Sequence, residues 1–348
     1  MSRDSFSPCQ LALSASLVDG IRYLSQDYAT GLISYEQAKS GLVRDVKKSF
    51  YSLLVLEESL KLLESNIQTA EKSYNQADIN FRNGLVSEID RLQAQVTLES
   101  LKPEYAEAQN SYRAALLSFK EILGLEVEDR VVLKGAIEPA LIDADADQLV
   151  FLSLTDRLDI RLIVQQIKML ETDLSSSKNS RLPSLILGYS KNMVFADDPL
   201  NDKIIGAPDE SWHDTGAFSI TFSLDIDSLI PGLSTDTAIK NKQERIRQAE
   251  KQLSQSLRRA DIEVRTIVMN MEKSVKKIES LRYSENLARR SYELASEGYN
   301  SGTIELLTLE KSRNQLQEVL LKIAQEKYNY QASLLDLEYA LNKSLEEL

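Results

Sequence analysis

Glycine and proline are scarce in this chain: 12 and 7 among 348 residues. Ordinary usage of about 7% would supply roughly twice as much glycine. Few tight turns can be made, so the elements between them must be long. Cys9 is the only cysteine, which excludes an intrachain disulfide and a cysteine-built metal site. Met1 to Pro8 contains no hydrophobic signal segment, so Cys9 is not expected to carry lipid. No uninterrupted apolar run is long enough to mark a transmembrane helix. The single histidine, His213, stands beside Trp212 and Asp214 in a polar stretch and reads as a solvent-exposed loop residue. No Ser/His/Asp set, P-loop or HExxH motif occurs, so no catalytic residue, metal or cofactor is expected. A net charge of -12 and a pI of about 4.9 exclude nucleic acid as a partner, because neutralising phosphates requires a basic surface.

What is present is a repeat. Phe81-Arg82-Asn83-Gly84-Leu85-Val86-Ser87-Glu88-Ile89-Asp90 and Tyr299-Asn300-Ser301-Gly302-Thr303-Ile304-Glu305-Leu306-Leu307 are two copies of one glycine turn. Gly84 and Gly302 lie 218 positions apart, and the same offset places Ala70, Tyr74, Ala77, Tyr112 and Leu123 on Ala288, Tyr292, Ala295, Tyr330 and Leu341 without a gap. An internal duplication constrains the fold more than any isolated motif. It divides the chain into a first repeat over 1–125, a connecting segment over 126–150 and a second repeat over 151–348.

Around each turn the pattern is helical. Helix is expected over about 21–83, interrupted softly at Gly31 and Gly41, and again up to Leu123, with Pro103 predicting a local kink. Ala70, Tyr74, Ala77 and Phe81 form a coiled-coil seam in which small and aromatic residues alternate. Further helices are expected over about 152–180, over 235–299 and from beyond Gly302 to the C-terminus. At about 1.5 Å per residue the stretch before Gly302 reaches roughly 90–100 Å. Three strands are expected. Residues 10–18 alternate, as do 184–190. The clearest is 217–227, where Phe218, Ile220, Phe222, Leu224 and Ile226 alternate with Ser219, Thr221, Ser223, Asp225 and Asp227. The stretch 191–216 reads as a polar loop. The fold class is mainly α with a few β-strands. A strand that is apolar on one side fits two situations. In a soluble, elongated coiled-coil scaffold the apolar face meets a second sheet. In a membrane barrel it meets lipid while the polar face meets water.

Phe81 to Gln95, with its aromatic-x-x-Gly-x-x-Ser-x-x-Asp-x-Leu-x-Ala-Gln pattern, resembles the signature of the TolC family of outer-membrane efflux proteins. Leu123-Gly124, Asp156-Arg157-Leu158-Asp159-Ile160, Leu182-Pro183-Ser184-Leu185 and Ala340-Leu341-Asn342 resemble further family motifs in the family's order. The resemblance covers nearly the whole chain. It implies long antiparallel helical hairpins forming a trimeric α-barrel, with strands from three protomers in one transmembrane β-barrel. It implies a passive exit duct for small molecules or proteins in the outer membrane, extending into the periplasm. A periplasmic adaptor and an inner-membrane transporter would be its partners. The tips at Gly84, Leu85, Val86 and Ser87 and at Gly302, Thr303 and Ile304 would dock the adaptor. Asp90, Glu305 and Glu310 would be candidate charges at the periplasmic mouth. Ser219, Thr221, Ser223 and Asp225 would face the lumen. Phe218, Ile220, Phe222 and Leu224 would face lipid, and Trp212, Tyr189 and Phe218 would fit an interfacial aromatic girdle.

Two departures from the family stand out. Only nine residues precede the first expected strand, where the family has a leading helix and a further strand. The chain therefore reads as N-terminally shortened, with a non-functional remnant of a channel as one alternative. The second turn carries Thr308 where the first has Asp90, and Glu310 and Lys311 where the first has Leu92 and Gln93.

Overall fold

A computed structural model describes residues 9–138, 146–195, 212–224 and 234–343. The order of elements is β1 (Cys9–Leu13), α1 (Ala15–Arg82), α2 (Glu88–Leu123), α3 (Ala146–Asp156), α4 (Leu158–Asn179), β2 (Ser184–Phe195), β3 (Trp212–Ser223), α5 (Ser234–Asn300) and α6 (Leu306–Leu341). The fold is mainly helical with a few strands, and α1 and α5 contain 68 and 67 residues.

The chain divides into two compact units, one of residues 1–35 and 159–256, the other of 36–158 and 257–348. The first contains the sheet, ordered β1-β2-β3 with antiparallel pairing throughout. Its helices meet through polar side chains. Asp19 on α1 is buried and accepts hydrogen bonds from Ser175 Oγ (3.2 Å) and Asn179 Nδ2 (2.7 Å) on α4. Thr30 Oγ1 donates to Met169 Sδ at 3.3 Å, and Gln165 Nε2 to the Gln26 carbonyl at 3.2 Å. Lys242 on α5 reaches Asp173 and Ser177 on α4 at 2.8 and 2.6 Å. Leu24, Tyr28 and Tyr35, by contrast, are exposed.

The second unit holds the apolar clusters. Leu149 and Val150 of α3, Val264 to Met271 of α5, and Tyr330 to Leu341 of α6 form the largest. Ala70 packs with Leu98 and Leu101, and Ala77 with Ala94. Partners thus move up α2 as they move back along α1, so the two helices are antiparallel. The same logic holds for α5 and α6: Ala295 meets Leu306 and Leu309, while Lys277 pairs with Glu326 further along. Both hairpin pairs end alike. Gly124 and Asn342, also 218 positions apart, both take left-handed backbone (φ 68° and 52°), and their amides close the last turn of α2 and α6.

Four expectations need correction. The strand expected over 10–18 stops at Leu13, because Ser14 Oγ accepts from the Leu17 amide at 3.2 Å and starts a helix there. Leu17, Ile21 and Leu24 fit a helical period as well as Leu11 to Leu17 fit a strand period. The helix α1 runs unbroken through Gly31 and Gly41, and Tyr339 of α6 would lie 3.8 Å from a Cβ at Gly41. The helix expected from 152 begins at Ala146 and is divided at Arg157. Just before the break, Ser153 and Thr155 hydroxyls bond back to the carbonyls of Val150 and Leu152, each at 2.8 Å. Finally, β2 and β3 extend to Phe195 and back to Trp212, into the stretch expected as polar loop. Backbone pairing in a hairpin does not require apolar side chains, so composition underestimates it. Asp225, Ile226 and Asp227 lie outside the described residues.

Candidate functional site

Side chains alternate across a strand, and directly opposed residues of an antiparallel pair share a face. The register therefore fixes two faces. Leu13, Leu185 and Phe222 form one row; Leu11, Leu187 and Ile220 the next; Tyr189 and Phe218 a third. These rows make a continuous apolar face. The other face carries Ser184 opposite Ser223, Ile186 opposite Thr221 and Gly188 opposite Ser219. A Cβ at Gly188 would fall 2.5 Å from Ser219 Oγ, so the glycine makes room for that hydroxyl. Phe218, Ile220 and Phe222 are 67%, 64% and 69% exposed, and Leu224 beyond the strand is also exposed. Burying a side chain of this size gains about 1.5–3 kcal/mol. Leaving three uncovered in water would forgo about 5–9 kcal/mol, comparable to the whole stability of a domain. The side chains of Trp212 and His213 lie outside the described residues.

At the first glycine turn, α1 ends in a Schellman closure. The Gly84 amide donates to the Phe81 carbonyl (2.9 Å) and the Leu85 amide to Asn80 (2.8 Å), with Gly84 at φ 71°. The second turn repeats it: Gly302 donates to Tyr299 (3.0 Å) and Thr303 to Gly298 (2.8 Å), with Gly302 at φ 75°. Nothing lies within 4 Å of a Cβ at either glycine, so glycine is required there by backbone conformation alone.

The turns then diverge. Ser87 caps α2 in a complete capping box, accepting from the Asp90 amide at 3.2 Å while its own amide donates to Asp90 Oδ2 at 3.1 Å. Glu305, the equivalent of Ser87, makes no side-chain cap. The second turn is held differently. Ser301 and Thr303 hydroxyls donate to the Gly298 carbonyl at 3.0 and 3.1 Å, and Ile304 lies so close to Gly298 that a Cβ there would be 2.6 Å from Ile304 Cδ1. The first copy has Asn80 and Val86 at these positions.

The candidate charges are placed unequally. Glu305 is exposed. Asp90 is half-buried and engaged with Ser87. Glu310 accepts from Thr97 Oγ1 of α2 at 2.6 Å and lies 3.9 Å from Arg313, which is buried. Glu310 thus ties the second hairpin to the first. Between the hairpins, Ala77, Ala94, Ala295, Leu306 and Leu309 form one buried cluster lined by Tyr74, Tyr292 and Tyr299. Burial pushes the Tyr299 phenol above its ordinary pKa, and the negative charges of Asp90 and Glu310 push the same way. Gly298 and Arg313 also belong to this region but lie outside the repeated turn pattern. A glycine inside an otherwise glycine-poor helix was the available signal for the first.

The family model for the outer membrane efflux protein matches residues 14–125 and 152–343. The chain belongs to this family. It is a protomer of an outer-membrane efflux channel, located in the outer membrane and extending into the periplasm, and the soluble-scaffold alternative is not favoured. Members of the family are passive channels, homotrimeric, that work with adaptors and inner-membrane pumps. The fold agrees with solved channels. The CmeC outer membrane channel of Campylobacter jejuni superposes with a TM-score of 0.80 at 20% identity, over 95% of this chain and 70% of CmeC. VceC of Vibrio cholerae gives 0.78 at 16% identity, over 97% and 79%. The open-state MtrE channel of Neisseria gonorrhoeae gives 0.77 at 15% identity, over 98% and 80%. Among curated proteins no sequence match reaches significance. Among the described residues of this efflux protein, no helix is long and apolar enough to cross a membrane.

Proposed function

We propose that this efflux protein assembles as a homotrimer whose sheets contribute to one outer-membrane barrel, with a periplasmic adaptor and an inner-membrane transporter as partners. In this reading Phe218, Ile220, Phe222 and Leu224 face lipid. Ser219, Thr221 and Ser223 face the water-filled lumen, joined by Asp225, which lies outside the described residues. The adaptor docks on Gly84 to Ser87 and on Gly302 to Ile304. Asp90 and Glu305 set the charge at the periplasmic mouth. Glu310 is assigned instead to the tie between hairpins, because its carboxylate is already engaged by Thr97 and Arg313. The chain is a conduit, and choice of cargo rests with the transporter.

One observation carries the membrane part of this reading: three strands align their large apolar residues in register on a single face that no other element of the chain's described residues covers. Lipid supplies the missing cover. The test compares Ile220→Lys with Ser219→Lys in the full chain. A lysine on the lipid face near the bilayer midplane costs about 2–4 kcal/mol, whereas a lumen substitution is tolerated. Ile220→Lys is expected to reduce membrane-inserted protein strongly and Ser219→Lys to leave it near the wild-type level. Equal insertion of both variants would overturn the assignment of faces.

A further inference from the structure

A cavity of about 470 Å³ lies between α1, α6 and the connecting segment that follows α2. All of its walls belong to the unit of residues 36–158 and 257–348. Sites for small molecules are typically clefts of about 300–1,000 Å³, mostly apolar, with a few placed polar groups. This cavity has that make-up. Leu54 of α1, Leu133 and Ile137 of the connecting segment, and Leu320 and Ile323 of α6 supply apolar lining. The connecting segment is packed closely on α1: a Cβ at Gly135 would fall 3.4 Å from Phe50 Cζ.

Charged groups complete the lining. Glu57, Glu58, Glu138 and Glu285 are carboxylates, and Lys61 and Lys327 are the cations. Glu57 pairs with Lys61 at 2.9 Å and Glu285 with Arg289 at 2.8 Å, each within its own helix. Glu58 and Glu138 are exposed and make no hydrogen bond or ion pair among the described residues, and neither does Lys327. The lining therefore carries excess negative charge, with two carboxylates open to a cation from outside. Helix packing does not demand these acids. The 218-residue offset between the repeats places Val275, Lys276 and Glu279 where Glu57, Glu58 and Lys61 stand. The second repeat thus lacks the first carboxylate and reverses the other two charges, so the acidic lining belongs to this cavity and not to the repeated hairpin.

We infer that this cavity binds a small amphipathic cation, a molecule with an apolar body and a protonated amine. The body lies on Leu133, Ile137 and Ile323, and the amine pairs with Glu58 and Glu138. Charge complementarity sets the sign, since an anion would find only Lys327 open and two free carboxylates against it. The inference goes beyond the conduit reading, because a passive duct needs no ligand site in its wall. It does not depend on trimer assembly, because one chain supplies every wall.

The experiment is equilibrium dialysis of the full chain in detergent against tryptamine, with detergent alone as the blank. Two probes share the indole body: tryptophol, which is neutral, and indole-3-propionate, which is an anion. Tryptamine is expected to fill one saturable site per chain, with tryptophol about tenfold weaker and indole-3-propionate not saturating. Glu58→Gln combined with Glu138→Gln should weaken tryptamine about tenfold and bring it level with tryptophol. Both positions are exposed, so the fold does not rest on them. Lys327→Met, which removes a like charge, should tighten tryptamine. Ala136→Trp, at an exposed position of the lining, should fill the cavity and abolish binding. No saturable binding by the wild type would overturn the site, as would binding that survives Ala136→Trp or equal affinity for tryptophol. A preference for indole-3-propionate that depends on Lys327 would overturn the cationic assignment. None of these outcomes bears on the channel reading, which membrane insertion tests separately.

Discussion

Ala77 and Ala295, equivalent residues of the two repeats, are buried in the same cluster, 1% and 3% exposed. The two copies therefore meet through the same small-residue seam, with Tyr74 and Tyr292 packed beside it. Small residues allow close helix approach, and this is the level at which the two turns are held together.

Enlarging that seam should cost stability. Ala77→Leu and Ala295→Leu insert side-chain volume where none is free, and overpacking of this kind typically costs about 1–3 kcal/mol. Thermal melting followed by helical circular dichroism is expected to show a lowered midpoint for both. Unchanged midpoints would show that the cluster yields without strain.

At the second turn, Gly298→Ala should be destabilising because its Cβ would meet the Ile304 side chain at 2.6 Å. Shortening Ile304 to Ala removes the clashing atoms. The double variant is expected to be more stable than the sum of the single effects, a coupling read by a double-mutant cycle of denaturation midpoints. Strict additivity would contradict the close packing.

Backbone conformation makes a separate demand at the tips. Gly84→Val and Gly302→Val place a β-branched residue at positive φ, at a cost of about 1–3 kcal/mol. Gly31 has no positive φ and open space around it. Efflux is expected to suffer more from either tip substitution than from Gly31→Val. Equal, small effects at all three sites would count against docking at the tips.

Asp90 combines a cap and a charge, and the two can be separated. Asp90→Asn keeps an acceptor for the Ser87 amide and removes the charge. Trimers reconstituted in planar bilayers should then show a lower preference for cations, with little change in melting temperature. Ser87→Ala should do the opposite, costing about 1 kcal/mol of stability through loss of the cap. No change of ion preference in Asp90→Asn would remove Asp90 from the mouth.

Glu326 gives a pH-dependent prediction. Burial pushes its carboxyl pKa up, but hydrogen bonds and charge from Lys277, with Asn329 and Ser274, outweigh burial and hold it below the ordinary value. A carboxyl with a depressed folded-state pKa stabilises the protein above its unfolded pKa of about 4.3. That contribution is lost as pH falls through the folded value. Lys277→Met should therefore destabilise at neutral pH, by about 1–3 kcal/mol. The gap to wild type should narrow once the solution is more acidic than the carboxylate range. A gap independent of pH would show that the lysine acts through packing alone.

Much of this protein was legible along the chain because long helices announce themselves by periodicity and scarce glycine. The repeat, the two turns, the helix stop after Leu123, and the alternation of Phe218, Ile220 and Phe222 are local patterns, and local patterns survive without tertiary context. Tertiary structure decided what depends on neighbours distant in sequence. It carried α1 through Gly31 and Gly41, whereas the end of the first strand at Leu13, where strand and helix periods coincide, was set locally by the Ser14 cap. It extended the β2–β3 hairpin into polar sequence, since pairing is a backbone property. It also separated the charges: Glu310 looks like Glu305 in sequence, but only the fold brings Thr97 and Arg313 to it. Sequence determined which faces exist. Only the tertiary structure decided which of them the chain covers for itself and which it leaves exposed.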